Sequence, residues 1–323
     1  MKVAGWLIVV LTLAIVVGCG GSKGGRPYQA IGPLAFVADY GSDTVSIIDT
    51  ATNNVTNIAV GDGPIGVAVS PYLAKAYVAN WFSNSVSVID TKTNAVTATI
   101  PVGTNPHNIA ITRDGATAYV ADFGSNAVSV IDTATNAVVK SIPVGGTPTA
   151  VVLHPNGQAL YSTNQASGDL SIIDVRTNTV TATVAAGAGP ISLAFSPAGD
   201  RAYISNYPAN TVSVMDTAGK TITSTIPVGK NPFGVAINPA GSRVYVVNAN
   251  DATLSVIDTG TKSVIATVPV GQAPTNLAIT SGGDRVYVTS MGSAGVYIID
   301  TATNTVTATI GVGSQPEGIA IAD

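Results

Sequence analysis

The chain has 323 residues, 46% of them hydrophobic, only 10% charged, and a formal net charge of −4. A sparse and slightly acidic charge balance attracts no polyanion, which excludes nucleic acid as an expected partner. The single cysteine excludes a disulfide framework and any Cys-based metal or c-type haem attachment site.

In chain order, residues 1 to 18 read as a signal peptide. Met1-Lys2 is a minimal basic start, and residues 3 to 17 form an apolar run too short to span a bilayer comfortably. Val16-Val17-Gly18-Cys19 follows at once and resembles the lipobox of bacterial lipoproteins. That resemblance implies that Cys19 is diacylglyceryl-modified on sulfur, becomes the new N-terminus after cleavage, and is then often N-acylated. The residues alone leave open a plain secretory signal or an uncleaved anchor. Two or three acyl chains, at roughly 0.8 kcal/mol per buried CH2, anchor a protein where a single chain does not. Residues 19 to 33, beginning Gly20-Gly21-Ser22-Lys23-Gly24-Gly25-Arg26 after the cysteine, read as a flexible tether. Without Lys2 the body keeps 13 basic against 18 acidic residues, a net charge of −5. The expectation is a secreted protein, lipid-anchored to the cell envelope and monomeric.

From residue 34 onward the chain repeats. Asp49, Asp90, Asp132, Asp174, Asp216, Asp258 and Asp300 recur every 41 or 42 residues, and a Gly-x-x-Pro sequence starts at Gly61, Gly103, Gly145, Gly187, Gly229, Gly271 and Gly313. A third ladder is Tyr77, Tyr119, Tyr161, Tyr203, Tyr245 and Tyr287, with Phe36 in first place. A unit of this length, holding several strand-length apolar runs and no helical period, predicts one propeller blade repeated seven times. In the second unit, Ile65 to Ser70, Lys75 to Asn80, Ser85 to Asp90 and Ala95 to Val102 are the expected strands. Pro71 opens the first turn, Trp81-Phe82-Ser83-Asn84 is the next loop, and Thr91-Lys92-Thr93-Asn94 is a tight turn. Tyr77-Val78-Ala79-Asn80, Tyr119-Val120-Ala121-Asp122 and Tyr245-Val246-Val247-Asn248, each followed by a Val-Ser-Val-Ile-Asp-Thr or Leu-Ser-Val-Ile-Asp-Thr run, resemble the YVTN family of β-propeller repeats. The resemblance covers residues 34 to 323 and implies an all-β, seven-bladed propeller of four-stranded antiparallel blades. It says little of function, since propellers of this family occur as surface-layer, binding and cofactor-enzyme-related proteins. The chain enters at a second strand, Leu34, and leaves after a first strand, Glu317 to Ala322, so one blade must take three strands from the N-terminus and one from the C-terminus.

What recurs seven times serves the fold. The repeated Asp is expected to cap an Asx-type turn, the repeated Tyr to pack between blades, and Ala68, Ala110, Ala194, Ala236, Ala278 and Ala320, with Val152, to relieve crowding at the axis. A unique site must come from positions that do not repeat. These gather on the face bearing the loops between second and third strands and the Gly-x-x-Pro connections. Tyr40, Trp81, Phe123 and Tyr207 come from the loops; His107, Phe233 and Glu317 follow a Gly-x-x-Pro, where the chain turns toward the axis. Trp81 is the sole Trp of the body, Glu317 the sole Glu, and His107 one of two His. Tyr40, Trp81 and Phe123, from consecutive blades, would form a sector for stacking on sugars or gripping a peptide. His154 is expected in a solvated turn on the opposite face.

His107 and Glu317 fall two blades apart, so a direct hydrogen bond requires a narrow mouth; they are weak catalytic candidates beside their reading as polar lining. No metal is expected from two separated His and no acidic loop of EF-hand type. No cofactor is expected either: for haem, His107 is the one plausible ligand and Lys230 the one basic residue in the Gly-x-x-Pro loops. The expected function is a binding or scaffold module for a protein, peptide or glycan at this face. Two alternatives remain open: a propeller hydrolase or lactonase using Glu317 and His107, and a structural cell-envelope or surface-layer component.

Overall fold

A blade's third strand is apolar on one face and small and polar on the other, as in Ser85-Val86-Ser87-Val88-Ile89-Asp90. Ser87 is nonetheless buried like its neighbours, because both faces of the blade are covered by the adjoining ones. In the computed structural model, which describes residues 33–70 and 73–322, every repeat forms such a blade. The expected leader, Cys19, the tether up to residue 32 and the Pro71 turn lie outside the described residues. Among the described residues twenty-eight strands, β1 to β28, fall into seven antiparallel four-stranded sheets.

Blade 1 runs β28 (Pro316–Ala322), β1 (Leu34–Asp39), β2 (Thr44–Asp49) and β3 (Val55–Ala59). The two ends of the ring therefore pair, with Leu34 opposite Ala322, Phe36 opposite Ala320 and Val37 opposite Ile319. Blade 2 follows as β4 (Pro64–Ser70), β5 (Lys75–Asn80), β6 (Ser85–Asp90) and β7 (Ala95–Pro101). The innermost strands of blades 3 to 7 are β8 (Pro106–Ile111), β12 (Pro148–Leu153), β16 (Pro190–Phe195), β20 (Pro232–Ile237) and β24 (Pro274–Ile279).

The core lies between blades. Tyr77, Val86, Val88 and Ile100 of blade 2 pack against Ile109, Ala118, Val120 and Ile131 of blade 3, and the remaining seams repeat the scheme. The Ala68 series on the innermost strands also serves the blade itself. Each member stands opposite the repeated ring across the first strand pair, Ala68 facing Tyr77 and Ala320 facing Phe36, so that a small side chain makes room for a large one. The inner strands also crowd at Gly66, which lies in the register shift between Pro64 and Val67. A Cβ there would stand 2.6 Å from the His107 carbonyl, and one at Gly318 would collide with the carbonyl of Ile65.

The repeated acids do cap turns: Asp49 Oδ1 accepts the N–H groups of Ala51 and Thr52 at 2.9 and 3.0 Å, and Asp300 does the same for Ala302 and Thr303. These bonds hold both carboxyls below the usual range. A left-handed Asn53, Asn94, Asn136, Asn178 or Asn304 closes the corresponding turn in five blades.

A second polar ladder ends each second strand. Asn80 donates from Nδ2 to Ser85 and Ser87 at 3.1 and 2.9 Å, and Asn206 and Asn248 repeat the bond to Ser213 and Ser255. Asp39 and Asp122 stand at this position in blades 1 and 3 and accept from Ser46 and Ser129 at 2.7 and 2.6 Å. Burial outweighs these bonds and pushes both carboxyls up to about 6.

Candidate functional site

The seven loops between second and third strands are held by one bond each. The first loop residue donates its N–H to the carbonyl of the residue before the repeated Pro: Tyr40 to Gln315 at 3.0 Å, Trp81 to Gly63 at 2.8 Å, Phe123 to Asn105 at 3.1 Å and Tyr207 to Gly189 at 3.1 Å, among others. All seven acceptor residues have positive φ, between 49 and 65°, including Thr147 and Ala273. A β-branched residue in that region carries strain, which a conformation repeated in every blade evidently offsets. This bond sets the loop residue above the residue that follows the Pro, and so builds a rim.

The rim encloses a cavity of about 440 Å3 lined by Tyr40, Trp81, His107, Phe123, Tyr207, Phe233 and Glu317, together with Ile65, Thr149, Gln165, Ile191 and Met291. The structure thus brings all seven ligand-contact candidates of the sequence around one opening. Beneath it the axis narrows to about 30 Å3 between Gly66, Asn108, Ser192, Asn276 and Gly318, enough for a water molecule or two.

The aromatic side chains group differently from the expected sector. Trp81 packs on Phe123 with centroids 5.1 Å apart and meets His107 edge-on at 5.9 Å, while Tyr40 turns away to Phe82 at 5.7 Å. The reason is local: Gly63 lacks the Cβ that would strike the Phe82 ring, which leaves Phe82 free to lie beside Tyr40. Tyr207 and Phe233 form a second group, T-shaped at 6.1 Å.

His107 and Glu317 share the cavity without a hydrogen bond between their side chains; blade 2, with Ile65, stands between them. Burial pushes the His107 imidazole down to about 4 and leaves its Nδ1 without a partner. Burial likewise pushes the Glu317 carboxyl up to about 8, against a smaller opposing effect of the Thr275 hydroxyl. Near neutrality the mouth therefore holds a neutral imidazole and a carboxyl that keeps its proton. Burial, then Glu317 and Asp62, raise the Tyr40 hydroxyl. Among the described residues the lining contains no Lys or Arg. Lys230 is exposed outside it, its backbone N–H bonded to Asp251 at 2.7 Å.

Two features escaped the sequence reading. Hydroxyls fasten three inner strands across the seams, two of them in pairs: Thr149 and Thr163 both donate to the Ile191 carbonyl at 2.8 and 3.0 Å, Thr275 and Thr289 to Glu317 at 3.2 and 2.6 Å, and Ser205 alone to Phe233. The signal was a hydroxyl at 163, 205 and 289, where the other blades carry Ala or Val. His154 is not a solvated turn residue. Its Nε2 meets the Gly199 carbonyl at 2.9 Å, its Nδ1 accepts from Asn156, and its ring packs on Phe195 at 4.9 Å, because the turn of blade 5 reaches over it.

A family model described as a YNCE-like beta-propeller matches residues 1–323. No curated protein matches the chain. Among solved structures, hydrazine synthase of Kuenenia stuttgartiensis superposes with a TM-score of 0.78 at 24% identity, over 89% of this chain and 99% of that one. A candidate 6-phosphogluconolactonase of Bacteroides uniformis gives 0.76 at 17% identity, over 90% and 99%. The dihydro-heme d1 dehydrogenase NirN gives 0.68 at 13%, over 93% and 77%. At these identities the likeness is one of fold.

Proposed function

The chain belongs to the YNCE-like beta-propeller family, and from that premise we propose that it is a binding or scaffold module, lipid-anchored outside the cytoplasmic membrane, that takes a peptide, glycan or protein partner at the mouth. One observation carries the reading. Five aromatic side chains from non-repeating positions line a single open cavity of about 440 Å3, within the size range of ligand sites. Rings left partly exposed around a concavity supply contact area at low entropic cost. The lipobox-like Val16 to Cys19 and the Gly-rich stretch after it support the anchor.

The test is a titration of the mature protein, in which Trp81 is the sole tryptophan, with panels of peptides and glycans. A partner is expected to shift Trp81 fluorescence, and Trp81→Ala to weaken binding in a graded way with the fold intact; silence across both panels retires the reading. Labelled-lipid incorporation abolished by Cys19→Ser is the expected result for the anchor.

The Glu317 carboxyl, which keeps its proton near neutrality, favours a second reading: a hydrolase or lactonase with Glu317 as acid and His107 as neutral base. Under it, Glu317→Gln abolishes turnover outright rather than weakening binding.

A further inference from the structure

We infer that the mouth takes an organic cation: a positively charged nitrogen bearing apolar substituents, such as an alkylated ammonium, seated among the rings beside Glu317. This rests on the mouth being the binding site proposed above and names what enters it.

The argument is one of sign. Trp81 and Phe123 belong to blades 2 and 3, Tyr207 and Phe233 to blades 5 and 6, so the two groups lie three sectors apart in a ring of seven and nearly face each other. Aromatic faces carry negative potential and attract cations within about 6 Å of the ring centroid. Among the described residues Glu317 is the one acid in the lining, no Lys or Arg shares it, and the further acid at its edge is Asp62. Everything the cavity presents is neutral or negative. An anion finds no counter-charge, and a neutral ring can bond the carboxyl through its hydroxyls but draws nothing from the negative sign of the walls. A substituted ammonium uses both at once, and its apolar groups fill space the rings already enclose.

Binding must then move a proton. A cation beside Glu317 favours the carboxylate over the carboxyl, so the acid proton leaves as the cation enters, and the O–H bond broken is balanced by release to solvent. The titratable groups sharing the cavity are Tyr40, His107 and Tyr207, with Asp62 beyond the rim. His107, pushed down to about 4 by burial, does not accept the proton near neutrality.

The experiment is calorimetric titration of the protein with choline, with its neutral isostere 3,3-dimethylbutan-1-ol, and with a trimethyllysine peptide, in two buffers of different ionisation heat. Choline is expected to bind at least tenfold more tightly than the isostere and to release close to one proton at pH 7. Glu317→Gln is expected to lower that affinity at least tenfold and to end the proton release. Tighter binding of the peptide than of choline identifies a protein partner, and the reverse a free solute. Equal binding of choline and isostere, or a choline affinity left unchanged by Glu317→Gln, overturns the inference. If neither cation binds while a glycan or unmodified peptide still shifts Trp81 fluorescence, the inference falls and the binding reading stands; silence from every probe removes both.

Discussion

Replacing Asp39 by Asn is expected to stabilise the protein at neutral pH and to do nothing in acid. The Asp39 carboxyl is held at about 6 by burial, against 3.8 when free. The folded protein therefore keeps a proton that the unfolded chain loses between those values, and stability falls as pH rises through that window. At 1.36 kcal/mol per unit the penalty at pH 8 is about 3 kcal/mol. Asn removes it, and both hydroxyls that bond the carboxylate, Ser46 and Thr44, can turn to accept from the new amide, as Thr253 accepts from Asn248. Ser46 Oγ lies 2.7 Å from Asp39 Oδ2 and 2.9 Å from Asn57 Oδ1, so its proton can turn to Asn57 while the new amide donates to Ser46, as Asn80 does to Ser87. With an unfolding entropy of about 2.1 cal/mol/K per residue, 3 kcal/mol corresponds to a rise of roughly 5 °C in Tm. The assay is thermal unfolding of variant and parent by circular dichroism between about pH 3.5 and pH 8, read as a difference so that Glu317, common to both, cancels. A gain that is the same at every pH, or a variant less stable than the parent at pH 8, refutes the reasoning.

Asp122→Asn is expected to behave in the same way through Ser129, and the double variant to gain nearly the sum, since blades 1 and 3 share no seam. Deleting residues 317–323 removes most of β28 and exposes the inner edge of β1; a marked fall in Tm is expected, and an unchanged melting curve contradicts the closure. Gly318→Ala is expected to destabilise by about 2 kcal/mol or more, because its Cβ meets the Ile65 backbone rather than a side chain that can turn aside. Urea unfolding checks it, with Gly311→Ala, where nothing lies within 4 Å, as the neutral control.

The architecture was legible because each ladder serves one job in every blade: the acid caps a turn, the Tyr fills a seam, the Gly-x-x-Pro leads inward. Ring closure followed from the phase at which the chain enters and leaves. The face of the site was legible for the complementary reason, since Trp81, His107 and Glu317 break a pattern that the fold alone would keep. What escaped the sequence depends on distances between blades. Tyr40 turns to Phe82 because Gly63 lacks a Cβ, His154 is covered by a turn 45 residues ahead, and Gly66 comes against the His107 backbone inside a register shift. Local pattern encodes which face a residue takes, and not how near the next sector stands. The seven left-handed residues before Pro were hidden for another reason: Gly, Asn, Thr, Ala and Gln all occupy the position, so no residue type marks it.

The pairing of β28 with β1 has a mechanical consequence. The first described strand is not an outer edge but is flanked on both sides, by β28 and by β2. A pull applied at Leu34 along the strand loads two ladders in parallel shear, and neither can be unzipped bond by bond while the other holds. Force entering at Leu34 thus meets a strand held on both sides, whereas a pull on β3, bonded on one side, would peel the same blade open.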